Sequence, residues 1–218
     1  MGVAVVVAGG GPPAVTRARL GPLGADPLVV AADSGLEGAG ALGLAPAVVV
    51  GDMDSVDPAA LAAAEAAGAR IERHPAAKDA TDLDLALDVA LAAGADRLVV
   101  VTGAGDRLDH ALAVALSLGG PRLAGVATEA WIGPAHLWVV RGGDRGPVTV
   151  AGTPGDLVSL VPVHGPARGV VTTGLRWPLA GDDLDPATTR GVSNELAGPA
   201  ATVRLAAGVL LAVMPHGV

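Results

Sequence analysis

The first half of the chain alternates short apolar runs with alanine-rich stretches of mixed polarity. The runs at 3–8 and 98–102 are almost continuously apolar and rich in valine, which is typical of strands buried on both faces of a parallel sheet. Further strands are predicted at 28–32, 47–50 and 70–72, and helices at 35–44, 58–67, 82–93 and 109–118. Strands that alternate with helices predict a parallel sheet with helices on both of its faces, a three-layer, Rossmann-like α/β arrangement.

The pattern changes after about residue 120. Strands are predicted at 125–132 and 136–140, and a turn-rich stretch follows at 141–147. The remaining segments are short and β-like, without a helical period: 148–151, 157–163, 169–173, 201–205 and 209–214. We therefore predict an α/β domain over 1–141 and a small antiparallel β-sandwich or barrel-like domain over 142–218.

Composition narrows the class of protein. Of the 218 residues, 51% are hydrophobic, yet none of the apolar runs approaches the length of about 18 residues that a spanning helix needs. The net charge of −8 argues against non-specific binding of nucleic acid, and the lack of cysteine excludes disulfides and thiolate chemistry. The first apolar run has no Lys or Arg before it and ends in Gly-Gly-Gly-Pro-Pro, so we interpret it as a strand and expect a cytoplasmic protein.

The segment Gly-Asp-Met-Asp-Ser at 51–55 is the main candidate for chemistry. It follows a predicted buried strand, and the side chains of Asp52 and Asp54 would point to one side of an extended segment. Two close carboxylates repel each other unless a cation lies between them, and oxygen ligands favour Mg²⁺. The alternative is a simple turn with an Asx cap that opens the next helix.

The first turn has a superficial likeness to a dinucleotide site. Residues 9–14 fit the pattern G-x-G-x-x-A after a strand, and Asp33 lies about twenty residues further on. In that fold, backbone N–H groups hold the pyrophosphate, but Pro12 and Pro13 have none to offer. A glycine-rich turn that leads the chain away from the sheet is therefore the favoured interpretation.

Three more polar loops follow predicted strands. Asp33 follows the second strand, the run 78–84 (Lys-Asp-Ala-Thr-Asp-Leu-Asp) precedes a helix, and the loop 102–110 carries Arg107 and Asp109. Each has a structural alternative: Asp33 as a helix cap, Thr81 with Asp84 as a capping box, and Asp109 as a cap of the last helix.

The four loops together are stronger evidence for a binding site than any one of them alone. The carboxyl ends of parallel strands meet at one edge of the sheet, where ligands bind. Asp82 would add a third carboxylate to Asp52 and Asp54, and Lys78 and Arg107 would reach phosphate oxygens. This inventory is typical of Mg²⁺-assisted phosphoryl transfer, in which the metal offsets the charge of the nucleotide.

The motifs together resemble the thiamine pyrophosphokinase family over nearly the whole chain. Five segments come in the family's order and approximate spacing. They are Asp-Ser-Gly at 33–35, Gly-Asp-Met-Asp-Ser at 51–55, Lys-Asp-Ala-Thr-Asp at 78–82, Gly-Asp-Arg-Leu-Asp-His at 105–110 and Gly-Val-Ser-Asn-Glu at 191–195. Gly-Leu-Arg-Trp-Pro-Leu at 174–179 is similar to the family's Gly-Leu-Lys-Tyr-Pro-Leu.

The resemblance implies a homodimer that moves the terminal diphosphate of ATP to the hydroxyl of thiamine and releases AMP. It implies two partly overlapping sets of site residues in this chain. The metal and catalytic set is Asp52, Asp54 and Asp82 for Mg²⁺, with Arg107 and Asp109 at the attacked centre. The binding set is Asp33, Ser34, Gly35, Lys78, Asp79, Thr81 and Arg107 for ATP, and Trp177, Ser193 and Asn194 for thiamine.

Two departures from the family pattern keep alternatives open. Where the family has Asp-Gly-Gly-Ala-Asn, this chain has Ser34 in place of a glycine and Glu37 in place of the asparagine. Glu37 adds a negative charge near the expected nucleotide. The alternatives are a diphosphokinase for another hydroxymethyl heterocycle, such as a pterin, and a non-catalytic protein that binds the nucleotide or thiamine.

Overall fold

A computed structural model describes residues 2–77, 79–103, 105 and 107–217. The chain is a mixed α/β protein with four α-helices among the described residues. It divides into two compact units: residues up to Leu108 together with Val126–Gly133, and Asp109–Gly125 together with the chain from Pro134 onward.

The first unit is built on a six-stranded parallel sheet in the order β4-β3-β2-β1-β5-β6. Its strands are β1 (Gly2–Ala8), β2 (Leu28–Ala32), β3 (Val48–Gly51), β4 (Arg70–Arg73), β5 (Ala95–Thr102) and β6 (Ala127–Ile132). Its helices are α1 (Gly35–Ala41), α2 (Pro58–Ala66) and α3 (Asp82–Ala92). The predicted strand at 125–132 is thus the sixth parallel strand, paired with β5.

Continuous burial explains why the strands of this sheet are apolar without alternation. Val5, Val6 and Val7 are each fully buried, so successive side chains on both faces of β1 are covered. Helix α3 begins with the predicted capping box, because Thr81 Oγ1 accepts from Asp84 N at 3.2 Å and Asp84 Oδ2 accepts from Thr81 N at 3.2 Å.

The second unit contains most of α4 (Leu108–Gly119) and an antiparallel sheet in the order β7-β13-β9-β12-β8. Two further strands, β10 and β11, pair with β9. The strands are β7 (Ala135–Arg141), β8 (Val148–Ala151), β9 (Leu157–Thr173), β10 (Ala180–Leu184), β11 (Asn194–Glu195), β12 (Ala200–Arg204) and β13 (Ala207–Met214).

The separate strands predicted at 157–163 and 169–173 are wrong, since both belong to the 17-residue β9. The expected turn between them is a bend: His164 has φ 59° and Gly165 has φ 129°, and the strand continues beyond them. The pattern also missed β10, whose Ala-Gly-Asp-Asp-Leu sequence has low strand propensity.

A half-buried arginine holds the end of α4. Arg141 on β7 donates from its guanidinium to the carbonyls of Leu118, Gly119 and Gly120 at 2.9–3.0 Å. Leu118 and Gly119 are the last two residues of α4, where a helix end leaves carbonyls unpaired. Burial lowers the pKa of Arg141, with a further contribution from the charge of Arg145. Arginine nevertheless keeps its charge in proteins, and the cation complements the negative end of the helix dipole.

No helix in the described ranges is long and apolar enough to cross a membrane.

Candidate functional site

The site in the first unit is arranged around Gly51, the last residue of β3. Gly51 has φ 151°, and a Cβ added there would lie 3.1 Å from Asp33 Cβ and 3.2 Å from Asp82 Oδ1. A glycine is therefore needed where the loops after β2 and before α3 approach the end of β3. The residue that ends the strand also makes room for two carboxylates.

Asp33, Asp52 and Asp54 form a carboxylate cluster at this edge. Each offers an oxygen, and these three oxygens lie within 4.8 Å of one another. Asp33 and Asp52 are half-buried and Asp54 is exposed, so the cluster opens to solvent on one side. Convergent carboxylate oxygens at this spacing are suitable ligands for a hard divalent cation.

The expected convergence of Asp52 and Asp54 is present, but the extended backbone that we predicted for it is wrong. Met53 has φ 64°, and Asp54 N donates to Asp52 Oδ1 at 3.2 Å, so the segment turns instead of continuing the strand. The side chain of Met53 packs against the apolar cluster that contains Leu36 and Val49. The turn thus directs one half-buried apolar side chain away from two converging polar ones.

The local contacts of Asp33 do not fit its structural alternative as a side-chain cap. The N-cap of α1 is Ser34, which makes no side-chain capping bond, and Asp33 contributes its backbone carbonyl to Leu36 N at 3.1 Å. The Asp33 Oδ2 atom instead accepts a hydrogen bond from Ser55 Oγ. Its Oδ1 atom is buried and has no hydrogen-bond partner among the described residues.

The unsatisfied Asp33 Oδ1 is informative because burying a carboxylate oxygen without a partner is costly. A coordinated cation would satisfy it. The carboxylates of the cluster therefore fit a bound Mg²⁺ better than they fit an ion-free protein.

The charges of the cluster also act on Asp54. The negative charge of Asp52 raises the pKa of Asp54, helped by the hydrogen bond that a protonated Asp54 donates to the same side chain, by partial desolvation and by the charge of Asp33. The hydrogen bond with Ser55 opposes the shift in pKa. Like charges held this close destabilise the ionised form, and a bound cation would relieve their repulsion.

Asp82 lies in the first turn of α3, half-buried, with Oδ1 next to the position of a Gly51 Cβ. The three-carboxylate cluster that the geometry gives contains Asp33 in addition to Asp52 and Asp54. The ligand set Asp52, Asp54 and Asp82 stays a prediction, and Asp33 is the carboxylate that it left out.

The glycine-rich turn after β1 packs against the loop after β5. Thr102 Oγ1 donates to Gly9 O at 2.5 Å, and Gly105 N donates to Gly10 O at 3.0 Å. Between β1 and β2 the chain forms only a short 3-10 helix, Arg17–Leu20, and no α-helix. A dinucleotide site would need the N-terminus of a helix at this point, so the structure agrees with the rejection of that interpretation.

A cleft of about 330 Å³ lies beside the cluster. Its lining comes from the first turn, from α1 and from the loop after β3: Gly11, Pro12, Pro13, Ser34, Glu37, Gly38, Ala41 and Ser55. Gly35, predicted as a binding residue, leaves no space for a side chain, because a Cβ there would lie 2.1 Å from Val7 O. The start of α1 therefore lies directly against β1, at one side of the cleft.

The structure describes only part of the predicted phosphate-binding set, whose roles stay a prediction. Lys78 lies outside the described residues, as does Asp106 of the neighbouring loop. Asp79, Thr81 and Arg107 are exposed. Asp109 is exposed in the first turn of α4, in the second unit.

Two side chains, Ser55 and Glu37, have contacts that the sequence did not reveal. Ser55 Oγ donates to Asp33, and Glu37 Oε1 accepts from Asp57 N at 2.7 Å. Both hydrogen bonds join the loop after β3 to the segment after β2. Residues 20 or more positions apart form these contacts, so no local pattern could predict them, although the unusual charge of Glu37 marked the position.

In the second unit, Asn194 joins two segments that the sequence had singled out. Its Oδ1 accepts from Trp177 N at 3.1 Å and from Glu195 N at 2.9 Å, and its Nδ2 donates to Trp177 O at 2.7 Å. Ser193 has φ 61° and donates from its N to Ser159 Oγ at 3.1 Å. Ser193, Asn194 and Trp177 are therefore neighbours in the fold.

Trp177 presents an aromatic surface at this place. Its side chain is 53% exposed, and the guanidinium of Arg176 lies 4.9 Å from the ring centroid. Arg176 is itself held by Glu195 at 2.7 Å. An exposed indole held by its backbone can stack on a flat or cationic ring.

The fold and the site define an α/β protein with an acidic ligand site at the carboxyl edge of its parallel sheet, the usual ligand position in open α/β sheets. Two family models match the chain. The model for the thiamin pyrophosphokinase catalytic domain matches residues 23–121, and the model for the thiamin pyrophosphokinase vitamin B1 binding domain matches residues 148–210. The chain belongs to the thiamine pyrophosphokinase family.

Individual relatives agree with the family. The thiamine pyrophosphokinase of Bacillus subtilis is 28% identical over 175 residues, which are 78% of this chain and 79% of that protein. The solved structure of the Bacillus subtilis enzyme has a TM-score of 0.79 at 24% identity and covers 97% of this chain and 98% of that chain. The Geobacillus thermodenitrificans structure has a TM-score of 0.74 at 25% identity, covering 98% and 96%. The yeast structure has a TM-score of 0.70 at 13% identity, covering 97% and 86%, which shows the shared fold.

Proposed function

We propose that the protein transfers the terminal diphosphate of ATP to the hydroxyl of thiamine, giving thiamine diphosphate and AMP. The observation that carries this proposal is the position of the carboxylate cluster. In a chain matched by both family models, Asp33, Asp52 and Asp54 converge at the carboxyl edge of the parallel sheet. An acidic site is suitable for a polyphosphate substrate only when a metal ion supplies the opposite charge.

Asp33, Asp52 and Asp54 would hold Mg²⁺, with Asp82 beside Gly51 as a further ligand. When bound, the ion would neutralise charge on the phosphate oxygens and orient them for attack. The buried, unsatisfied Oδ1 of Asp33 and the raised pKa of Asp54 support this assignment.

The predicted roles of the remaining residues belong to the same proposal. Lys78, Arg107 and Asp109 would line the phosphates and the attacked centre. Ser34, Gly35, Asp79 and Thr81 would contact ATP. Transfer of a phosphoryl group through a loose transition state asks little of its nucleophile, so positioning and charge neutralisation would supply most of the catalysis.

Thiamine would bind against the second unit. The exposed indole of Trp177 supports this, since a cationic thiazolium ring is attracted to an aromatic face. Asn194 Oδ1 already accepts two backbone N–H groups. Its contact with thiamine would therefore come from Nδ2, together with the hydroxyl of Ser193.

We also propose a homodimer, a three-layer, Rossmann-like domain over 1–141, a β-sandwich or barrel-like domain over 142–218, and a cytoplasmic location. The dimer is supported by large apolar side chains that stay exposed. Leu108, Leu112 and Leu116 recur every four residues on α4 and are 72%, 53% and 45% exposed. Such a stripe is typical of a helix face that packs against a partner.

The direct test uses purified protein, Mg-ATP and thiamine. Chromatography should show AMP and thiamine diphosphate forming in equal amounts, and removal of the divalent ion by a chelator should stop the reaction. Failure to form AMP with either Mg²⁺ or Mn²⁺ would contradict the proposal. Parallel reactions with a hydroxymethyl pterin separate the two kinase substrates, and calorimetric binding of thiamine without turnover would indicate a binding protein.

A further inference from the structure

The structure gives Glu37 a contact that its position in the sequence does not suggest. Glu37 lies in the first turn of α1, and its Oε1 accepts a hydrogen bond from Asp57 N at 2.7 Å. A carboxylate that accepts from a backbone N–H forms a charge-assisted bond, which is stronger than a neutral one. Asp57 is the N-cap of α2, where its own side chain accepts from Ala59 N at 3.2 Å.

Glu37 therefore acts on the loop that carries two of the cluster's carboxylates. This carboxylate loop, residues 52–57, runs from the end of β3 to the start of α2. It is bonded to the segment after β2 at two places: Ser55 Oγ donates to Asp33, and Asp57 N donates to Glu37. The first bond holds the middle of the loop and the second holds its far end.

The loop needs such restraint because its own charges oppose its conformation. Asp52 and Asp54 are held close to each other and to Asp33, and Met53 between them has φ 64°, which is unfavourable for a residue with a side chain. Repulsion and backbone strain would both be relieved if the loop moved away from Asp33. A hydrogen bond at Asp57 limits that movement.

We propose that Glu37 is a positioning residue that fixes the carboxylate loop in its ion-binding conformation. It does so through the backbone of Asp57 and without itself binding the ion. This inference rests on the proposed metal site. The carboxylate of Glu37 thus makes a structural hydrogen bond within the protein and does not contact the nucleotide.

The test compares Glu37→Gln with Glu37→Ala. Glutamine keeps an acceptor oxygen for Asp57 N and removes the charge, while alanine removes both. Glu65→Ala on the exposed surface of α2 is the control for loss of one negative charge. Binding of Mn²⁺ without substrates is measured by electron paramagnetic resonance, and exchange of the Asp57 amide hydrogen is measured by NMR.

We expect Glu37→Ala to bind Mn²⁺ about fivefold more weakly, the size of effect that loss of one solvent-exposed hydrogen bond would give, and to exchange the Asp57 amide faster. Glu37→Gln and Glu65→Ala should stay within about twofold of the parent chain on both measures. Equal weakening in Glu37→Gln and Glu37→Ala would indicate a charge effect and overturn the proposal. So would unchanged Mn²⁺ affinity in Glu37→Ala, even with a lower melting temperature. If the parent chain fails to bind Mn²⁺, the proposed metal site itself is wrong.

Discussion

Two pairs of aspartates in this chain have the same chemistry and opposite environments. Asp182 and Asp183 on β10 accept hydrogen bonds from backbone N–H groups and from arginines. Asp183 accepts from Gly169 N at 2.9 Å and from Arg168 at 2.7 Å, and Asp182 accepts from Ala180 N at 2.9 Å and from Arg190. These contacts lower the pKa of both carboxyls, the backbone bonds being the largest cause.

At the end of β3, in contrast, the groups next to the carboxylate of Asp54 are the carboxylates of Asp52 and Asp33. The charge of Asp52 raises the pKa of Asp54, and Asp33 adds to the shift. In β10 the chain itself supplies the balancing charge. In the cluster, we propose, a bound ion supplies it. A structural pair of aspartates can thus be told from a functional pair by the groups that its carboxylates contact. Spacing in the sequence does not reveal those contacts.

The largest expected effect comes from exchanging the order of two residues in the cluster loop. The double variant Met53→Asp/Asp54→Met keeps the composition but places an apolar side chain at the site and a carboxylate against Leu36 and Val49. We expect turnover to be abolished and stability to fall by about 1–2 kcal/mol for a half-buried methionine. AMP release and urea denaturation measure the two effects, and near-parental turnover would show that the order of these residues does not matter.

Removing one carboxylate should separate activity from stability. Asp54→Asn should lower turnover at least about a hundredfold, because a ligand of the proposed ion is lost. The melting temperature should not fall, since the substitution removes a repulsive charge. Asp82→Asn tests the sequence-derived ligand set in the same assay. Residual turnover close to the parent value in Asp54→Asn would place the reacting phosphates elsewhere.

The opposite result is expected at β10. Asp183→Asn should lower the melting temperature, because Arg168 and Gly169 N lose a charged acceptor, and should leave turnover within about twofold. Thermal denaturation and the AMP assay on the same preparations provide the comparison with Asp54→Asn. A variant of Asp183 that lost turnover without losing stability would remove the contrast between the two pairs.

The two pairs should also differ in their response to acid. The lowered pKa values of Asp182 and Asp183 contribute stability above the ordinary aspartate range, and this contribution is lost as the pH falls through the lowered values, below about pH 4. Asp54 has the opposite sign. Because its pKa is raised, Asp54 is protonated at a higher pH in the folded chain than in the unfolded chain. Acid therefore relieves the repulsion at the cluster and weakens the binding of Mg²⁺.

Urea denaturation between pH 3 and pH 7 checks these signs, at about half-unit intervals. Asp183→Asn should flatten the acid side of the profile. The affinity for Mn²⁺ should fall at a higher pH than the ordinary pKa of aspartate would give. An affinity that fell only at the ordinary value would show that the repulsion at Asp54 is unimportant.

The smallest expected effect concerns the capping box of α3, where a structural carboxylate lies two residues after a candidate ligand. Asp84→Ala removes the acceptor of Thr81 N and should cost about 0.5–1 kcal/mol of stability. Turnover should stay within about twofold. Denaturation midpoints give the stability change, and a large loss of turnover would mean that Asp84 also shapes the site.

The sequence was most informative where burial alone decides the structure. The valine-rich runs predicted the parallel strands, and the spacing of Thr81 and Asp84 predicted the capping box that the structure confirms. β5 begins at Ala95, three residues before its predicted start, because the first residues of this strand lie outside the continuous apolar run. A strand covered on both faces is apolar at every position, so its continuous run could be recognised without any knowledge of distant contacts.

The site was only partly predictable, since its geometry depends on contacts between distant residues. The convergence of Asp52 and Asp54 was expected from strand alternation, yet it is produced by a turn with a positive φ at Met53. The hydrogen bond between Glu37 and Asp57 joins residues 20 positions apart, and only the fold brings them together. The bend in β9 was mistaken for a turn, because His164-Gly165-Pro166 has the composition of one.

The long strand β9 has a consequence for how the second unit is made. Among the described strands, the partners of β9 are β10, β11, β12 and β13, and all of them follow it in the chain. During synthesis, the 17 residues of β9 therefore emerge before all of these partners, and the pairing with β13 forms only after the last of them, Ala207–Met214, has been added. Pairing over such sequence distances is slow, and an unpaired strand of this length is prone to aggregation. Nascent chains that stop short of β13 would be the species most dependent on chaperones.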